Sequence, residues 1–479
     1  MLTFASAIGA VRPLSAIRPP PLKGFQGALR TLAPVMFVLA IVMMAPWMPQ
    51  AEAASQPVVM SAPLSQTLPT AQILPTAQTV PTAQAYTLPP EKLAKAVALS
   101  RIRNILYFVS TLWGLAVLWI LLASVWSSHL AGWLERRVGR RWMQGPLFFA
   151  ALLAITALAD LPLGAVGQAV SQHYGISVQS WPSWLGDQGK GLGVTLLLGA
   201  PVLLLFHWIV RRWPRRYWLG VWLATLPLMV LSIFGEPLLA PLFNKFEPLM
   251  KSNPALVVEL DKVVARTGTN IPVERMFLMK ASEKTNGLNA YVSGIGATKR
   301  IVVWDTTAGR IANDEVLFIF GHESGHYVLN HIPKLLIGSA AGLFFVFWIS
   351  AALAGWLVQR FGARWHVDSL ATRPGMVVLL MSLSMVSFFV TPVNSGFSRY
   401  FEHEADVYGQ ESIHGIVADP QKTAVASFNH LGEAWLEDPA PNPFIEFWLF
   451  GHPSVGSRAQ FARQYNPWAN GGHGRFFDR

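Results

Sequence analysis

Six long apolar blocks constrain the fold of this chain more than any other feature, because each is long enough to cross a lipid bilayer as a helix. They cover about Ile105–Trp126, Pro146–Gly167, Leu192–Val210, Tyr217–Leu239, Leu335–Val358 and Met376–Thr391. Within a block the apolar residues lack the polar stripe of a surface helix, and only 13% of the 479 residues are charged. The sequence therefore predicts a mainly α membrane protein built on a bundle of six transmembrane helices.

The segment before the first block has the pattern of a targeting sequence followed by a linker. Residues 1–54 combine scattered basic residues, an apolar run from Leu32 to Met48 and an A-x-A site at 51–53. This arrangement is typical of a secretory signal peptide, and an uncleaved N-terminal anchor is the alternative. Residues 55–90 carry three P-T-A-Q repeats without hydrophobic mass, so they predict an extended linker.

The formal net charge of +11 is compatible with nucleic-acid binding, but its distribution is not. The arginines cluster at the ends of the apolar blocks, which is the pattern that membrane anchoring produces. We therefore expect the lipid bilayer as a partner and no nucleic acid. The chain has no cysteine, which excludes disulfides and thiolate metal ligands.

A polar stretch after the fourth block contains the pattern H-E-x-x-H, which begins at His322. We predict a helix from Glu315 to His331, with Asn313 or Asp314 as its N-cap. Because His322 and His326 are four residues apart, such a helix presents both imidazoles on one face, one turn apart.

Two neutral imidazoles at this spacing can bind one Zn²⁺ ion, which lowers the pKa of a bound water towards neutrality. The adjacent Glu323 is placed to take the proton of that water as it attacks a carbonyl group. We therefore predict His322 and His326 as metal ligands and Glu323 as the catalytic base. An amphipathic helix whose two histidines face polar partners would carry the same pattern without catalytic meaning.

A catalytic zinc ion needs a third protein ligand and one open position. The segment after the last apolar block offers Glu402 and Asp406, four residues apart on one face of a second helix. We assign Glu402 to the metal and Asp406 to the free N–H of a ligating histidine. His403 and Glu404 lie on other faces of the same helix and remain competing ligands.

Two further segments outside the blocks carry candidate roles. Arg300–Asp305 alternates as a strand does, and the segment before it, with Asn289 and Tyr291, predicts a hairpin arm. The edge of such a strand can hold an extended peptide, although an ordinary hairpin would have the same pattern. Near the C-terminus, His452 precedes a proline and lies six residues before Arg458. This pair is placed either to stabilise an oxyanion or in a surface turn.

Taken together, these segments resemble the integral-membrane zinc metalloproteases of the CAAX prenyl protease type 1 family, over roughly residues 90–465. Four sequence segments carry the resemblance, with two apolar blocks between the third and the fourth. They are Pro241–Leu249, Asn289–Tyr291 with Lys299–Asp305, Gly321–His326 and Glu402–Asp406.

The resemblance implies a gluzincin-like α+β protease domain that caps a chamber enclosed by the membrane helices. It also implies one zinc ion per chain, bound by His322, His326 and Glu402, with Glu323 as the general base. It implies further that Asp406 orients a ligand and that Asn289 holds the substrate. His452 and Arg458 would assist the tetrahedral intermediate. We count Tyr291 with Asn289 as substrate-binding. The known substrates of the family are prenylated C-terminal CAAX peptides, cleaved after the cysteine.

With these assignments the chain divides into alternating membrane and protease segments. After the linker, we predict four spans (91–240), a first protease segment (241–332), two spans (333–397), a second protease segment (398–465) and a loose tail (466–479). Arginine-rich loops at 136–141, 211–216 and 360–373 fall on the membrane side opposite the protease segments.

The positive-inside rule then predicts a protease domain outside the cytoplasm, in a bacterial inner membrane. The basic residues between Lys92 and Arg103 argue for the opposite orientation. The eukaryotic members of the family face the cytoplasm, where prenylated proteins are, so an outward-facing site would speak against a prenylated natural substrate.

Two other functions fit part of the pattern. A membrane quality-control zinc protease of broad specificity would use the same motifs, but such enzymes typically have fewer spans. A transporter or channel with a structural metal site would need a fourth protein ligand, for example His331 or His403, and would not hydrolyse peptides. A peptide or protein substrate, with or without a lipid group, is therefore the expected partner.

Overall fold

A computed structural model describes residues 84–477 of the chain. The predicted signal or anchor (1–54) and most of the predicted linker (55–90) lie outside the described residues. The end of the linker is packed, because Tyr86 is buried and its hydroxyl donates a hydrogen bond to the Glu437 carbonyl oxygen at 3.0 Å.

The first part of the structure is a set of long helices. In chain order they are α1 (Pro90–Ala123), α2 (Trp126–Arg137), α3 (Arg141–His173), α4 (Trp181–Arg212), α5 (Tyr217–Ser232) and α6 (Gly235–Phe243). Several extend well beyond the predicted blocks. Helix α1 has 34 residues, about 50 Å of helix, against a hydrocarbon core about 30 Å thick.

A small mixed sheet follows at one end of these helices. Its elements are β1 (Phe246–Pro248), α7 (Leu249–Ser252), α8 (Pro254–Thr267), β2 (Met276–Met279), β3 (Ala290–Ser293), β4 (Arg300–Trp304), α9 (Asp305–Ala308) and α10 (Asn313–Val328). The strand order is β1-β2-β4-β3, in which β2 and β4 are parallel and the outer strands pair antiparallel. The predicted strand at Arg300 and the hairpin arm before it are thus β4 and β3.

The chain then returns to the helical bundle and leaves it again within one helix. The remaining elements are α11 (His331–Trp365), α12 (Arg373–Ser412), α13 (Pro420–Trp435), α14 (Pro443–Leu449) and α15 (Val455–Gln464). Helix α12 has 40 residues, about 60 Å, so its first half can span a bilayer while its second half projects beyond. The predicted boundary at residue 398 falls inside this helix. We call residues 246–330 and 398–477 the sheet domain.

The number of candidate spans agrees with the prediction. Five helices, α1, α3, α4, α11 and α12, are long and apolar enough to cross a membrane, and the α5–α6 pair makes a sixth if the 61° bend between its helices lies within one span. Large apolar side chains such as Leu197 and Ile337 are about 70% exposed on these helices, as lipid-facing residues are. The predicted helical membrane bundle is confirmed.

The three arginine-rich loops meet at one end of the bundle. The Ser128 hydroxyl donates to the carbonyl oxygen of Trp365 at 3.0 Å, and Arg373 pairs with Glu135 at 2.8 Å. His207, near the end of α4, contacts the Ala371 carbonyl oxygen at 3.0 Å. The start of α1, at the other end, contacts the sheet domain, because Lys92 pairs with Glu433 and Arg103 donates to the Trp435 carbonyl oxygen. The loops therefore lie at the end of the bundle opposite the sheet domain.

The predicted helix at the H-E-x-x-H motif differs from the observed one at both ends. Helix α10 begins after Ala312, whose N–H donates to a Glu315 carboxylate oxygen at 3.3 Å, so neither Asn313 nor Asp314 is the N-cap. It ends at Val328, because Asn330 adopts a left-handed conformation with φ of 57°. Asparagine tolerates this conformation better than most residues, and here it breaks one predicted helix into two.

The last described residues are packed against α12, which differs from the loose tail predicted for 466–479. The backbone N–H groups of Arg475 and Phe476 both donate at 2.6 Å to the carboxylate of Glu411 on α12. The rings of Phe476 and Phe477 lie against Tyr408 on the same helix. Buried Glu411 supplies two acceptors that the sequence pattern does not reveal.

Candidate active site

The two motif-bearing helices, α10 and α12, touch through their backbones. A Cβ on Gly321 of α10 would lie 3.1 Å from the Gly409 carbonyl oxygen, and a Cβ on Gly409 would lie 2.9 Å from the His322 backbone nitrogen. A side chain at either position would push the helices apart, because interiors are close-packed. Because the two backbones are so close, polar side chains of α10 and α12 near this contact meet between the helices.

Three side chains converge there: His322 and His326 from α10, and Glu402 from α12. The two histidine Nε2 atoms lie 3.2 Å apart, and they approach the two carboxylate oxygens of Glu402 to 3.2 and 3.6 Å. Within residues 84–477, this is the group of imidazole and carboxylate side chains close enough to share one metal ion. The structure thus brings together the three residues predicted as ligands.

The chemistry of this group fits a zinc ion. Glu402 Oε2 is buried, and its contacts with His322 Nε2 at 3.2 Å and Arg458 Nη2 at 3.8 Å lack hydrogen-bond geometry, a costly state that a bound cation would relieve. Two imidazole nitrogens and one carboxylate are the donors of a known class of catalytic zinc site, which keeps a further position open. Neither His331 nor His403, the fourth ligands that a closed structural site would need, belongs to the group.

The second ring nitrogen of His322 faces a carboxylate directly. His322 Nδ1 lies 2.9 Å from Asp406 Oδ1. Arg458 donates to both Asp406 oxygens, from Nε at 2.9 Å and from Nη2 at 2.6 Å, and its guanidinium lies over the Phe428 ring. Burial opposes the charge of Arg458, but Asp406 raises the pKa of the guanidinium above its ordinary value. A charged pair therefore holds the first imidazole.

The second ring nitrogen of His326 faces another imidazole instead. His326 Nδ1 lies 3.2 Å from Nδ1 of His331, the first residue of α11. His331 Nε2 in turn lies 3.4 Å from Glu404 Oε2, and Arg475 from the end of the chain pairs with Glu404 at 2.7 Å. The sequence suggested His331 only as a fourth ligand of a structural metal site and gave no role to Arg475. His331 follows the predicted ligand His326 by five residues, and it can face His326 only because the helix breaks at Asn330.

The two competing ligands on α12 point elsewhere. The ring of His403 packs edge-on against Phe461, with 4.5 Å between the ring centroids. Glu404 is buried, but its carboxylate faces His331 and Arg475 rather than the two ligand histidines. Of the alternatives on this helix, the geometry therefore selects Glu402.

The two imidazoles lie in different electrostatic surroundings. Burial lowers the pKa of His322, but the neighbouring carboxylates of Asp406 and Glu402 more than offset this and raise it to about 10. Burial lowers the pKa of His326 to about 3. The two carboxylates thus favour positive charge at His322, which is also the charge that a bound metal ion would bring.

Glu323 is half-buried beside this group. Burial raises the pKa of its carboxyl group, and the charge of His322 acts in the opposite direction. The charge of Glu402 raises this pKa further, whereas those of His452 and Arg458 lower it. A carboxylate with a raised pKa is better suited to accept a proton and to return it near neutral pH.

His452 reaches the site from the loop before α15. Its side chain is 42% exposed, and its Nε2 lies 3.3 Å from Glu402 Oε1. The loop is held from α12, because Arg399 donates to the Phe450 carbonyl oxygen at 3.2 Å. Arg458 Nη2 lies 3.8 Å from Glu402 Oε2, so both residues of the predicted pair adjoin the group.

Strand β3 lies at the edge of the sheet, next to α10. Among the described residues no strand pairs with its outer side. Tyr327 of α10 donates to the carbonyl oxygens of Val292 and Gly294, at 3.3 and 3.0 Å. The Asn289 side chain, one residue before the strand, is exposed. The hydroxyl of Tyr291 donates to Glu236 of α6 at 3.0 Å.

Comparisons with known proteins show the family of the chain. The family model "Peptidase family M48" matches residues 251–466, and the model "CAAX prenyl protease N-terminal, five membrane helices" matches residues 71–245. The uncharacterized metalloprotease YhfN of Bacillus subtilis (strain 168) is 34% identical over 380 residues, which are 79% of this chain and 87% of the relative.

More distant relatives and a solved structure point the same way. CAAX prenyl protease 1 of Saccharomyces cerevisiae is 26% identical over 342 residues, which are 66% of this chain and 71% of the yeast protein. The crystal structure of S. mikatae Ste24p superposes with a TM-score of 0.66 at 22% identity, covering 78% of this chain and 89% of that one, so it supports the fold. The chain is a multi-pass membrane metalloprotease that belongs to peptidase family M48, with the membrane domain of the CAAX prenyl proteases.

Proposed function

We propose that the chain is a zinc metalloendopeptidase in which His322, His326 and Glu402 hold the ion. The observation that carries this proposal is the convergence of two imidazole nitrogens with a buried carboxylate whose Oε2 makes no hydrogen bond of regular geometry to any described residue. A zinc ion at these atoms supplies a Lewis acid that polarises a carbonyl group and makes water a stronger nucleophile. Asp406 and Arg458 keep the first ligand oriented.

Glu323 is the general base and acid of this proposal. Its carboxylate accepts a proton as water attacks the peptide carbonyl carbon, and it returns the proton to the leaving amine when the C–N bond breaks. Burial raises the pKa of this carboxyl group above its ordinary value, which makes it a stronger base than an exposed glutamate.

His452 donates to the oxyanion of the tetrahedral intermediate. Its exposed ring lies next to the carboxylate of the third ligand, where a substrate carbonyl oxygen would be polarised. Arg458 has two donors committed to Asp406, so its contribution is to fix Asp406 and to add positive charge at 3.8 Å from Glu402.

The substrate is a peptide or protein segment, with or without a lipid group, that binds in extended form along β3. An edge strand offers main-chain hydrogen bonds to such a segment, and the exposed Asn289 amide can contact its backbone. Tyr291 supports this edge rather than contacting substrate through its hydroxyl, because that group is held by Glu236.

The sheet domain faces outward from the cytoplasm, in a bacterial inner membrane. The three arginine-rich loops at the opposite end of the bundle support this orientation. Two basic residues that argue the other way have local partners. Lys92 pairs with Glu433, and Arg103 donates to the Trp435 carbonyl oxygen at 3.2 Å.

Replacement of Glu323 tests the proposal. In the purified full-length protein, we expect Glu323→Gln to lower the rate of cleavage of an unfolded protein or a farnesylated peptide by at least about 100-fold. The amide keeps the size of the side chain, so bound zinc measured by elemental analysis should be unchanged. Glu274→Gln, at an exposed glutamate of the sheet domain, is the matched control. An active Glu323→Gln variant, or an active wild-type protein without zinc, would refute the proposal.

A further inference from the structure

His331 is a buried histidine that no catalytic step has used so far. Its side chain is fully buried, its ring packs on Phe401, and its Nδ1 contacts Nδ1 of His326 at 3.2 Å. Burying a polar ring is costly unless its nitrogens find partners. A leucine or a phenylalanine would fill this space with a smaller desolvation cost, so a histidine here indicates a polar role.

The contact between two Nδ1 atoms requires one donor and one acceptor. If His326 ligates a metal through Nε2, its Nδ1 carries the proton and donates. His331 Nδ1 must then accept, which leaves the proton of neutral His331 on Nε2. That nitrogen is buried and lies 3.4 Å from Glu404 Oε2, a charge contact that lacks the geometry of a hydrogen bond. The Nδ1 contact therefore supplies the acceptor for His326, and Glu404 places a negative charge beside the Nε2 proton of His331.

Glu404 is itself held by two further groups. Arg475 Nη2 lies 2.7 Å from one of its oxygens, and the Tyr400 hydroxyl lies 3.4 Å from the same oxygen. The position of Arg475 is set by its own backbone N–H, which donates to Glu411. This row of side chains thus begins at a metal ligand and ends on the C-terminal segment of the chain.

We propose that His331 and Glu404 are positioning residues that fix the ring orientation and tautomer of His326. This proposal rests on the metal site of the proposed function and adds an indirect support for its second ligand. We call His326, His331 and Glu404 the His331 relay. Groups that accept the free N–H of a ligating histidine change metal affinity by about 10- to 100-fold when they are lost.

Two substitutions at one position separate this role from simple packing. His331→Phe keeps the ring volume against Phe401 but removes the acceptor. In His331→Asn, the side-chain Oδ1 takes the place of the imidazole Nδ1, so the acceptor for His326 remains while the ring is lost. A packing role predicts that Phe is the better replacement, whereas the relay predicts that Asn is.

The measurement is the zinc dissociation constant of the full-length protein in detergent, obtained by competition with a chelator. We expect the constant to rise about 10- to 100-fold in His331→Phe, and by at least about threefold less in His331→Asn. The visible spectrum of the cobalt-loaded protein should change in His331→Phe, because the ligand ring is free to turn. His403→Phe, on the exposed face of α12, is the matched control and should leave both readouts unchanged.

The outcomes distinguish this inference from the proposed function. An unchanged zinc affinity in His331→Phe, or equal losses in the two variants, would overturn the relay while leaving the zinc peptidase intact. A wild-type protein that binds no zinc would overturn both. If His331→Phe fails to fold, His331→Asn still decides, because a loss as large as 100-fold there contradicts an acceptor role.

Discussion

The two imidazole ligands of the site are held by different means. His322 faces one carboxylate at 2.9 Å, Asp406, which lies one turn from the third ligand on the same helix and is clamped by Arg458. His326 reaches a carboxylate only through His331, a residue that belongs to the start of another helix. One support is direct and charged, and the other passes through a neutral ring.

The two supports depend on distant parts of the chain to different degrees. The direct support needs only that α10 and α12 pack together, because Glu402 and Asp406 share a face. The His331 relay also needs the chain to turn at Asn330 and the C-terminal segment to return to α12. We therefore expect the direct support to carry more free energy and the relay to be easier to perturb.

The largest effect should follow the loss of the charge on Asp406. Asp406→Asn keeps an acceptor for His322 but removes the charge that pairs with buried Arg458, whose remaining carboxylate neighbour, Glu402, lies 3.8 Å away. Breaking a buried pair in this way typically destabilises a protein by about 3–5 kcal/mol. We expect a lower thermal midpoint and a zinc dissociation constant raised about 10- to 100-fold.

Glu404→Gln is the matched change on the other support. Its partner Arg475 is 49% exposed, so the ion pair contributes about 1 kcal/mol or less. If Glu404→Gln destabilised the protein as much as Asp406→Asn, the two supports would be equivalent and the comparison would be wrong.

A smaller effect should come from the spacing of the two helices. Gly409→Ala places a methyl group 2.9 Å from the His322 backbone nitrogen, and overpacking of this kind costs about 1–3 kcal/mol. Because the methyl group displaces His322 from Asp406, its effect on zinc affinity should be less than additive with Asp406→Asn. It should be additive with His331→Phe, which acts on the other ligand.

Gly338→Ala is the control for this experiment. Gly338 lies in α11, and a Cβ there meets no atom within 4 Å. Thermal midpoints and chelator competition on the three single and two double variants complete the two cycles. Additivity of Gly409→Ala with Asp406→Asn would show that helix spacing acts on the site by another route.

The same contrast explains what could be predicted from the sequence. The six spans follow from hydropathy, and two four-residue spacings predicted His322, His326 and Glu402 as a group, with His403 and Glu404 as competing ligands. The His331 relay could not be foreseen, because the continuous helix predicted over residues 315–331 would put His331 on a different face from His326. The hydrogen bonds from the backbone of residues 475 and 476 to Glu411 could not be predicted either, because these residues are more than 60 positions apart in the sequence.

The smallest effect concerns the turn that creates the relay. Asn330 has φ of 57°, and an ordinary L-residue pays about 1–2 kcal/mol for this conformation. We expect Asn330→Ala to lower the free energy of unfolding by about 1 kcal/mol and to weaken zinc binding several-fold. Asn330→Gly should do neither, because glycine adopts positive φ freely.

The relay assigns this loss of affinity to a misplaced His331. Asn330→Ala should therefore weaken zinc binding in the wild-type background but not in the His331→Phe background, where the support is already absent. An equal loss in both backgrounds, measured by the same chelator competition, would mean that the turn acts on the ligands through α10 itself. The left-handed residue would then shape the end of the helix that carries His326, and the indirect support would have no part in it.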